Sequence, residues 1–97
     1  MRPSELVRSK AAEIRALTAR YPTLVHPRLF GSAARGDDRP DSDVDILVDA
    51  LPGTTLFDIG GLLSDLEDLL QTKVDVMTPG DFPPRIRQRV LSEARPI

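Results

Sequence analysis

Between Asp43 and Leu70 the spacing of apolar residues changes from alternation to steps of three and four, and this change limits the chain to a mixed strand-and-helix architecture. Asp43 to Val48 alternates. Val44, Ile46 and Val48 fall on one face of a strand, while Asp43, Asp45 and Leu47 fall on the other, so one face is expected in the core. Leu51 to Thr55 reads as a loop. Leu56, Ile59, Leu63, Leu66 and Leu70 then recur at helical spacing, which predicts a core-facing helix. The stripe covers only about two heptads, so it is core packing and not a coiled coil. Gly60-Gly61 lies inside that helix, where each glycine costs about 1 kcal/mol relative to alanine. Close packing of a neighbouring backbone would be a reason to keep them.

The flanking segments extend the pattern. Ser4 to Arg20 reads as a helix capped by Ser4, with Pro3 just outside and Val7, Ala11, Ile14 and Leu17 as its apolar stripe. Tyr21-Pro22 ends it. Val25 to Phe30 reads as a short strand that starts near Arg28 or lies at an edge there, because Pro27 cannot donate to a ladder. Gly31-Ser32 follows, then one helical turn through Ala33, Ala34 and Arg35. Gly36 to Asp41 is an aspartate-rich loop. Lys73 to Met77 is a further strand, with Val74 and Val76 inward and Asp75 outward. After the turn Thr78 to Asp81, Asp81 can cap a last helix from about Pro83 to Ala94, with Ile86 and Val90 on its apolar face. The prediction is an α/β fold, a single small domain over residues 1–97, with helices packed on a mixed β-sheet.

Charge narrows the function. The formal net charge is −2, which gives no reason to expect direct nucleic-acid binding through charge alone. Twelve of the fifteen acidic residues lie between residues 37 and 81, whereas Arg85, Arg87, Arg89 and Arg95 dominate the tail. That basic tail suggests a contact with an acidic or mixed protein surface, with Arg85 and Arg89 on one helical face and Arg87 turned away. There is no cysteine, hence no disulfide framework and no thiolate metal site. No apolar run approaches membrane-spanning length and no signal-peptide core opens the chain. The expectation is a cytoplasmic protein with no membrane contact. The single histidine, His26, reads as a strand residue near the surface.

Asp43 and Asp45 pose a chemical problem. Strand period two puts both carboxylates on one face, about 7 Å apart along the backbone. Such a pair is unfavourable unless a cation sits between the groups. Mg²⁺ takes oxygen ligands and is commonly held by one or two carboxylates together with substrate phosphates. Gly31-Ser32 suggests where a phosphate would lie: glycine allows close backbone approach, a helix starting there presents free N–H groups, and the Ser32 hydroxyl adds a donor. Arg35, one turn on, can add charge and a forked set of donors. If the Asp75 strand lies beside the Asp43–Asp45 strand, three carboxylates converge, enough for two metals, one on a triphosphate and one on an attacking hydroxyl.

Gly31-Ser32, ten residues, then Asp43-Val44-Asp45 resembles the G-S-x10-D-x-D signature of the DNA polymerase β-like nucleotidyltransferase superfamily. The length, the element order and the run Gly31-Ser32-Ala33-Ala34-Arg35-Gly36 are similar to its minimal nucleotidyltransferase branch, over nearly the whole chain. The resemblance implies that Asp43 and Asp45 ligate Mg²⁺. It implies that Asp75 helps hold a second metal and activates an acceptor hydroxyl, and that Gly31 and Ser32 hold the β- and γ-phosphates of ATP. It also implies a partner: members of this branch act as antitoxins to HEPN-type toxins, and some transfer AMP to a toxin tyrosine. A hetero-oligomer with such a toxin is therefore expected. Ala33 departs from the larger or polar residue usual there, which bears on the base or phosphate pocket and not on the metal ligands.

Plainer readings stand beside these. Asp43, Asp45 and Asp75 could be solvent-facing strand residues. Ser32 could cap a short helix. Arg35 could pair with Asp37, Asp38 or Asp41. The arginines of the last helix could form a solvated face. At the level of function, the alternatives are a non-catalytic nucleotide-binding or toxin-masking module, and a subunit that transfers a nucleotidyl group to a small molecule such as an aminoglycoside. The latter usually requires a further domain to hold the acceptor. A pure binder has no need of all three aspartates.

Overall fold

The computed structural model describes all 97 residues, Met1–Ile97. Two short helices, α1 (Pro3–Ser9) and α2 (Ala11–Ala19), lead into β1 (Leu24–Phe30), a single helical turn α3 (Ser32–Arg35) and β2 (Val44–Ala50). The long helix α4 (Leu56–Leu70), β3 (Val74–Met77), a 3₁₀ turn (Pro79–Asp81), α5 (Pro84–Glu93) and a two-residue strand β4 (Arg95–Pro96) complete the chain. The sheet order is β3-β2-β1-β4. β1 runs antiparallel to both β2 and β4, and β2 runs parallel to β3, so the sheet is mixed. A parallel pair requires a crossover, and α4 supplies it.

The core lies between one face of the sheet and helices α1, α2 and α4. Val7, Ile14, Leu24, Leu29, Val44, Ile46, Val48, Leu62, Leu66, Leu70 and Val74 are buried together. Val44, Ile46 and Val48 therefore point inward as their alternation requires. Leu47, on the opposite face, is also fully buried, so β2 is covered on both sides near its middle. Phe82, just after the 3₁₀ turn, packs edge-on against Phe30 on that second face, with ring centroids 5.9 Å apart.

Several local expectations are corrected. The first helix is broken at Lys10 (φ −111°, ψ 14°). No glycine or proline marks the break. Pro3 is inside the helix and Arg2 is its N-cap: the Arg2 carbonyl accepts the Leu6 N–H at 2.9 Å and its N–H donates to the Glu5 carboxylate at 3.1 Å, while the Ser4 N–H is taken by the Asp38 carboxylate at 2.9 Å. In β1 the pairing register shifts between Val25 and Arg28, and His26 takes φ 57°. The strand continues through Pro27 by this irregularity instead of starting at Arg28. Arg28 holds it there, donating to the His26 carbonyl at 2.6 Å and pairing with Asp49 at 3.0 Å. His26 also contacts Asp49, on the surface as expected.

Leu56 does not join the core: it is 85% exposed, and Phe57 beside it 92%. The first turn of α4 leaves both side chains in solvent, and the inward face starts with Ile59 and Leu62. Asp81 does not cap α5, which begins at Pro84 after Pro83. Its carboxylate instead accepts the Thr78 N–H at 2.8 Å, closing the 3₁₀ turn.

The two helical glycines are not equivalent. A Cβ on Gly61 would lie 2.7 Å from the Tyr21 hydroxyl and 3.0 Å from its ring. Tyr21 is fixed there by a 2.7 Å hydrogen bond to Asp65. The close neighbour is thus a side chain, not a backbone. A Cβ on Gly60 would meet nothing within 4 Å. Gly60→Ala should therefore raise stability by up to about 1 kcal/mol, whereas Gly61→Ala should lower it by displacing Tyr21. Urea unfolding of the two variants measures the difference in sign.

Candidate active site

The second face of the sheet, opposite the core, carries the polar residues singled out by the sequence. Asp45 and Asp75 are register partners on the parallel strands β2 and β3. Their alternation points both away from the core, and adjacency brings the carboxyl groups within interaction range. Asp43 lies immediately before β2, in line with them. On the other side of Asp45, β1 places Phe30 in register with it, so the chain leaves β1 at Gly31 directly beside the Asp45 carboxylate. A Cβ on Gly31 would collide with the Asp45 Oδ2. Gly31 also takes φ 72°, ψ −149°, a conformation that is essentially restricted to glycine. The turn into α3 is therefore built against the carboxylate, and only a residue without a side chain allows it.

The electrostatics follow from this crowding. Burial, then the negative charges of Asp75 and Asp43, push the Asp45 carboxyl up to about 6 from an ordinary 3.8, with Arg35 opposing. Asp43 has one positive neighbour, Lys73, whose Nζ lies 3.7 Å away. The three aspartates thus share one end of the sheet, but they are not drawn into a set of three side chains close enough to hold an ion as they stand. Asp43 pairs with Lys73 on one side, while Asp45 and Asp75 lie within reach of each other. The donor set is all oxygen, with Asp45 partly buried and Asp75 open to solvent, and the charge of Asp45 is poorly compensated. Those features fit a hard divalent cation.

The phosphate-side residues are arranged less uniformly. Gly31 and Ser32 open α3 beside Asp45. By helix geometry the first N–H groups of this turn have no intrahelical partner. The Arg35 N–H accepts no such freedom: it donates to the Gly31 carbonyl at 3.2 Å and closes the turn. The Arg35 guanidinium pairs with Asp37 at 3.1 Å and with Glu93 of α5 at 3.5 Å. Of the acids considered for it, Asp37 is the one engaged.

Two neighbours were not legible as site residues. Asp38 is buried, 4% exposed, and ties the loop after α3 to the start of α1 through the Ser4 N–H. In the sequence it is one of several loop aspartates, with nothing to distinguish it. Arg87 is half-buried and donates to the carbonyls of Pro79 and Phe82 at 2.7 and 3.0 Å. It clamps α5 to the 3₁₀ turn, which gives a structural reason for its separation from Arg85 and Arg89. Both of those remain exposed. No helix is long and apolar enough to cross a membrane.

Comparisons with known proteins bear on the family and the fold. The profile of the nucleotidyltransferase domain family matches residues 14–97. Over 66 residues the chain is 41% identical to a candidate protein adenylyltransferase of Methanocaldococcus jannaschii, covering 68% of this chain and 71% of that protein. The solved structure of a candidate minimal nucleotidyltransferase superposes with a TM-score of 0.85 at 41% identity, covering 97% of this chain and 95% of that one. A solved toxin–antitoxin structure with AMP-PNP superposes with a TM-score of 0.73 at 26% identity, covering 88% of this chain and 69% of that one.

Proposed function

The chain belongs to the nucleotidyltransferase domain family, and from that premise we propose that it transfers AMP from ATP to a hydroxyl of a partner protein, a tyrosine of a HEPN-type toxin to which it is the antitoxin. The observation that carries the reading is the register of Asp45 with Asp75, beside a Gly31 backbone with no room for a side chain. A merely solvent-facing pair of carboxylates has no need of a glycine packed against one of them. The relative named for protein adenylylation and the toxin–antitoxin likeness with a bound ATP analogue support the choice of nucleotide and of partner.

Asp43, Asp45 and Asp75 would hold Mg²⁺, one ion or two, which when bound neutralises the triphosphate and lowers the pKa of the acceptor hydroxyl. The chain's own residues do the rest. The Gly31-Ser32 turn holds the β- and γ-phosphates through backbone N–H groups and the Ser32 hydroxyl. Arg35 adds charge-assisted donors to the same phosphates. Asp75, on the outer strand of the pair, takes the proton of the acceptor hydroxyl. The hydroxyl oxygen attacks the α-phosphorus, the bond to the β-phosphate oxygen breaks, and pyrophosphate leaves. Asp45, the more buried carboxylate, fixes the triphosphate end. The exposed Arg85 and Arg89 of α5 help dock the partner, where electrostatic contacts mainly raise the association rate.

This division of labour separates two measurements. Asp75→Asn should retain ATP binding within about threefold, since Asp43 and Asp45 remain, while transfer falls by at least about 100-fold, as loss of a general base predicts. Calorimetry with Mg²⁺-ATP and turnover on the partner protein test it. Transfer at the wild-type rate would remove Asp75 from the reaction. Loss of binding and transfer together would make it a nucleotide-site residue instead.

A further inference from the structure

Arg35 ends the helical turn that Gly31-Ser32 opens, yet its guanidinium is already engaged from outside the turn. Its Nε pairs with Asp37, two residues on, while its Nη1 reaches Glu93 Oε2 at 3.5 Å, in the last turn of α5. Glu93 is held in place by a second arginine: Arg89 Nε contacts its other oxygen, Oε1, at 3.2 Å. Both oxygens of one carboxylate are therefore shared between an arginine of the site and an arginine of its own helix. α5 has no buried residue; Arg87 clamps its start, Glu93 contacts Arg35 from its end, and β4, directly after it, pairs with β1. Glu93, together with Asp37, thus holds the guanidinium that a polyphosphate would otherwise attract.

We propose that Glu93 competes with the triphosphate for Arg35 and is a positioning residue that sets nucleotide affinity. The inference rests on the reading above that Arg35 faces the phosphates. A triphosphate carries more charge than a carboxylate and can take the same forked pair of donors, so ATP wins the exchange. Glu93 keeps Arg89 when Arg35 leaves, so its charge is not stranded. Both partners are partly solvated, with side chains 42% and 30% exposed, and exposed pairs contribute little. The competition is therefore a modulation and not a block.

The test is a double-mutant cycle, with calorimetry of Mg²⁺-ATP on the wild type, Glu93→Gln, Arg35→Gln and the double variant. Glu93→Gln should tighten ATP binding about threefold, the scale of an exposed pair. Arg35→Gln should weaken it about tenfold or more, as loss of a charged hydrogen-bond donor does. In the Arg35→Gln background, adding Glu93→Gln should change nothing. AMP, which lacks the β- and γ-phosphates, should bind the wild type and Glu93→Gln equally. Equal ATP affinity of wild type and Glu93→Gln would overturn the competition while leaving the proposed function standing. Tightening that persists in the Arg35→Gln background would also overturn it, by showing a general charge effect. An Arg35→Gln variant with wild-type ATP affinity would remove Arg35 from the phosphate site and this inference with it. Failure of the wild type to bind Mg²⁺-ATP at all would instead contradict the proposed function.

Discussion

Gly31→Ala should lower transfer by about 100-fold, the scale of a reacting group misplaced by about 1 Å. Two independent causes act at this position. The backbone takes φ 72°, ψ −149°, where a side chain costs about 1–3 kcal/mol. The new Cβ would also collide with the Asp45 carboxylate, which must turn away. Gly36, at φ 83°, has open space around it. Gly36→Ala is therefore the control: it carries backbone strain but no collision. If both variants lost stability equally and Gly31→Ala kept wild-type transfer, the packing of this turn on Asp45 would have no catalytic meaning.

Asp45→Asn should reduce transfer by more than about 100-fold, since even partners that only support a metal ligand are worth about 10–100-fold. The same variant should be more stable than the wild type in the absence of metal and nucleotide. In the folded chain the Asp45 carboxyl titrates near 6, against an ordinary 3.8. A raised carboxyl favours protons in the folded state, so wild-type stability falls as pH rises between those values, and the penalty is full above about 6. Unscreened, the difference corresponds to about 3 kcal/mol. The carboxyl is only half-buried, and solvent screening reduces that to about 1–2 kcal/mol. Denaturation at pH 7.5 should therefore show Asp45→Asn ahead by about 1–2 kcal/mol, with the gap closing toward pH 4. A constant gap across that range would place its origin in packing and not in charge.

The parts of the fold that could be read in the sequence are those where periodicity and burial coincide. Val44, Ile46 and Val48 alternate and are buried; Leu66 and Leu70 recur at helical spacing and are buried. Leu56 follows the same spacing but lies 85% exposed, because periodicity does not say where the sheet beneath a helix ends. The break at Lys10 carries no glycine or proline to announce it. A strand of two residues such as β4 is too short for any period. Asp81 was a reasonable cap by residue type, but the 3₁₀ turn before α5 gave its carboxylate a nearer N–H at Thr78.

At the candidate site the same division applies. Gly31-Ser32, Asp43 and Asp45 stand close together in the chain, and their spacing was informative. That Asp75 lies next to Asp45 depends on which strands pair, a tertiary fact that α4 makes possible but does not dictate. The Arg35–Glu93 contact joins the two ends of a long stretch of chain, and no local pattern points to it. Asp38 looks like its neighbours Asp37 and Asp41, and only the approach of α1 singles it out.

Group transfer at the Asp45–Asp75 pair is tested most directly by intact mass spectrometry of the proposed toxin partner, after incubation with the chain, ATP and Mg²⁺. The predicted result is one added adenylyl group on the toxin, mapped to a tyrosine, with pyrophosphate released in equal amount. It should be absent with Asp45→Asn, with Asp75→Asn and when Mg²⁺ is removed by chelation. A stable complex between the two proteins that leaves the toxin mass unchanged, with ATP and Mg²⁺ both present, would contradict the claim and make the chain a binding module.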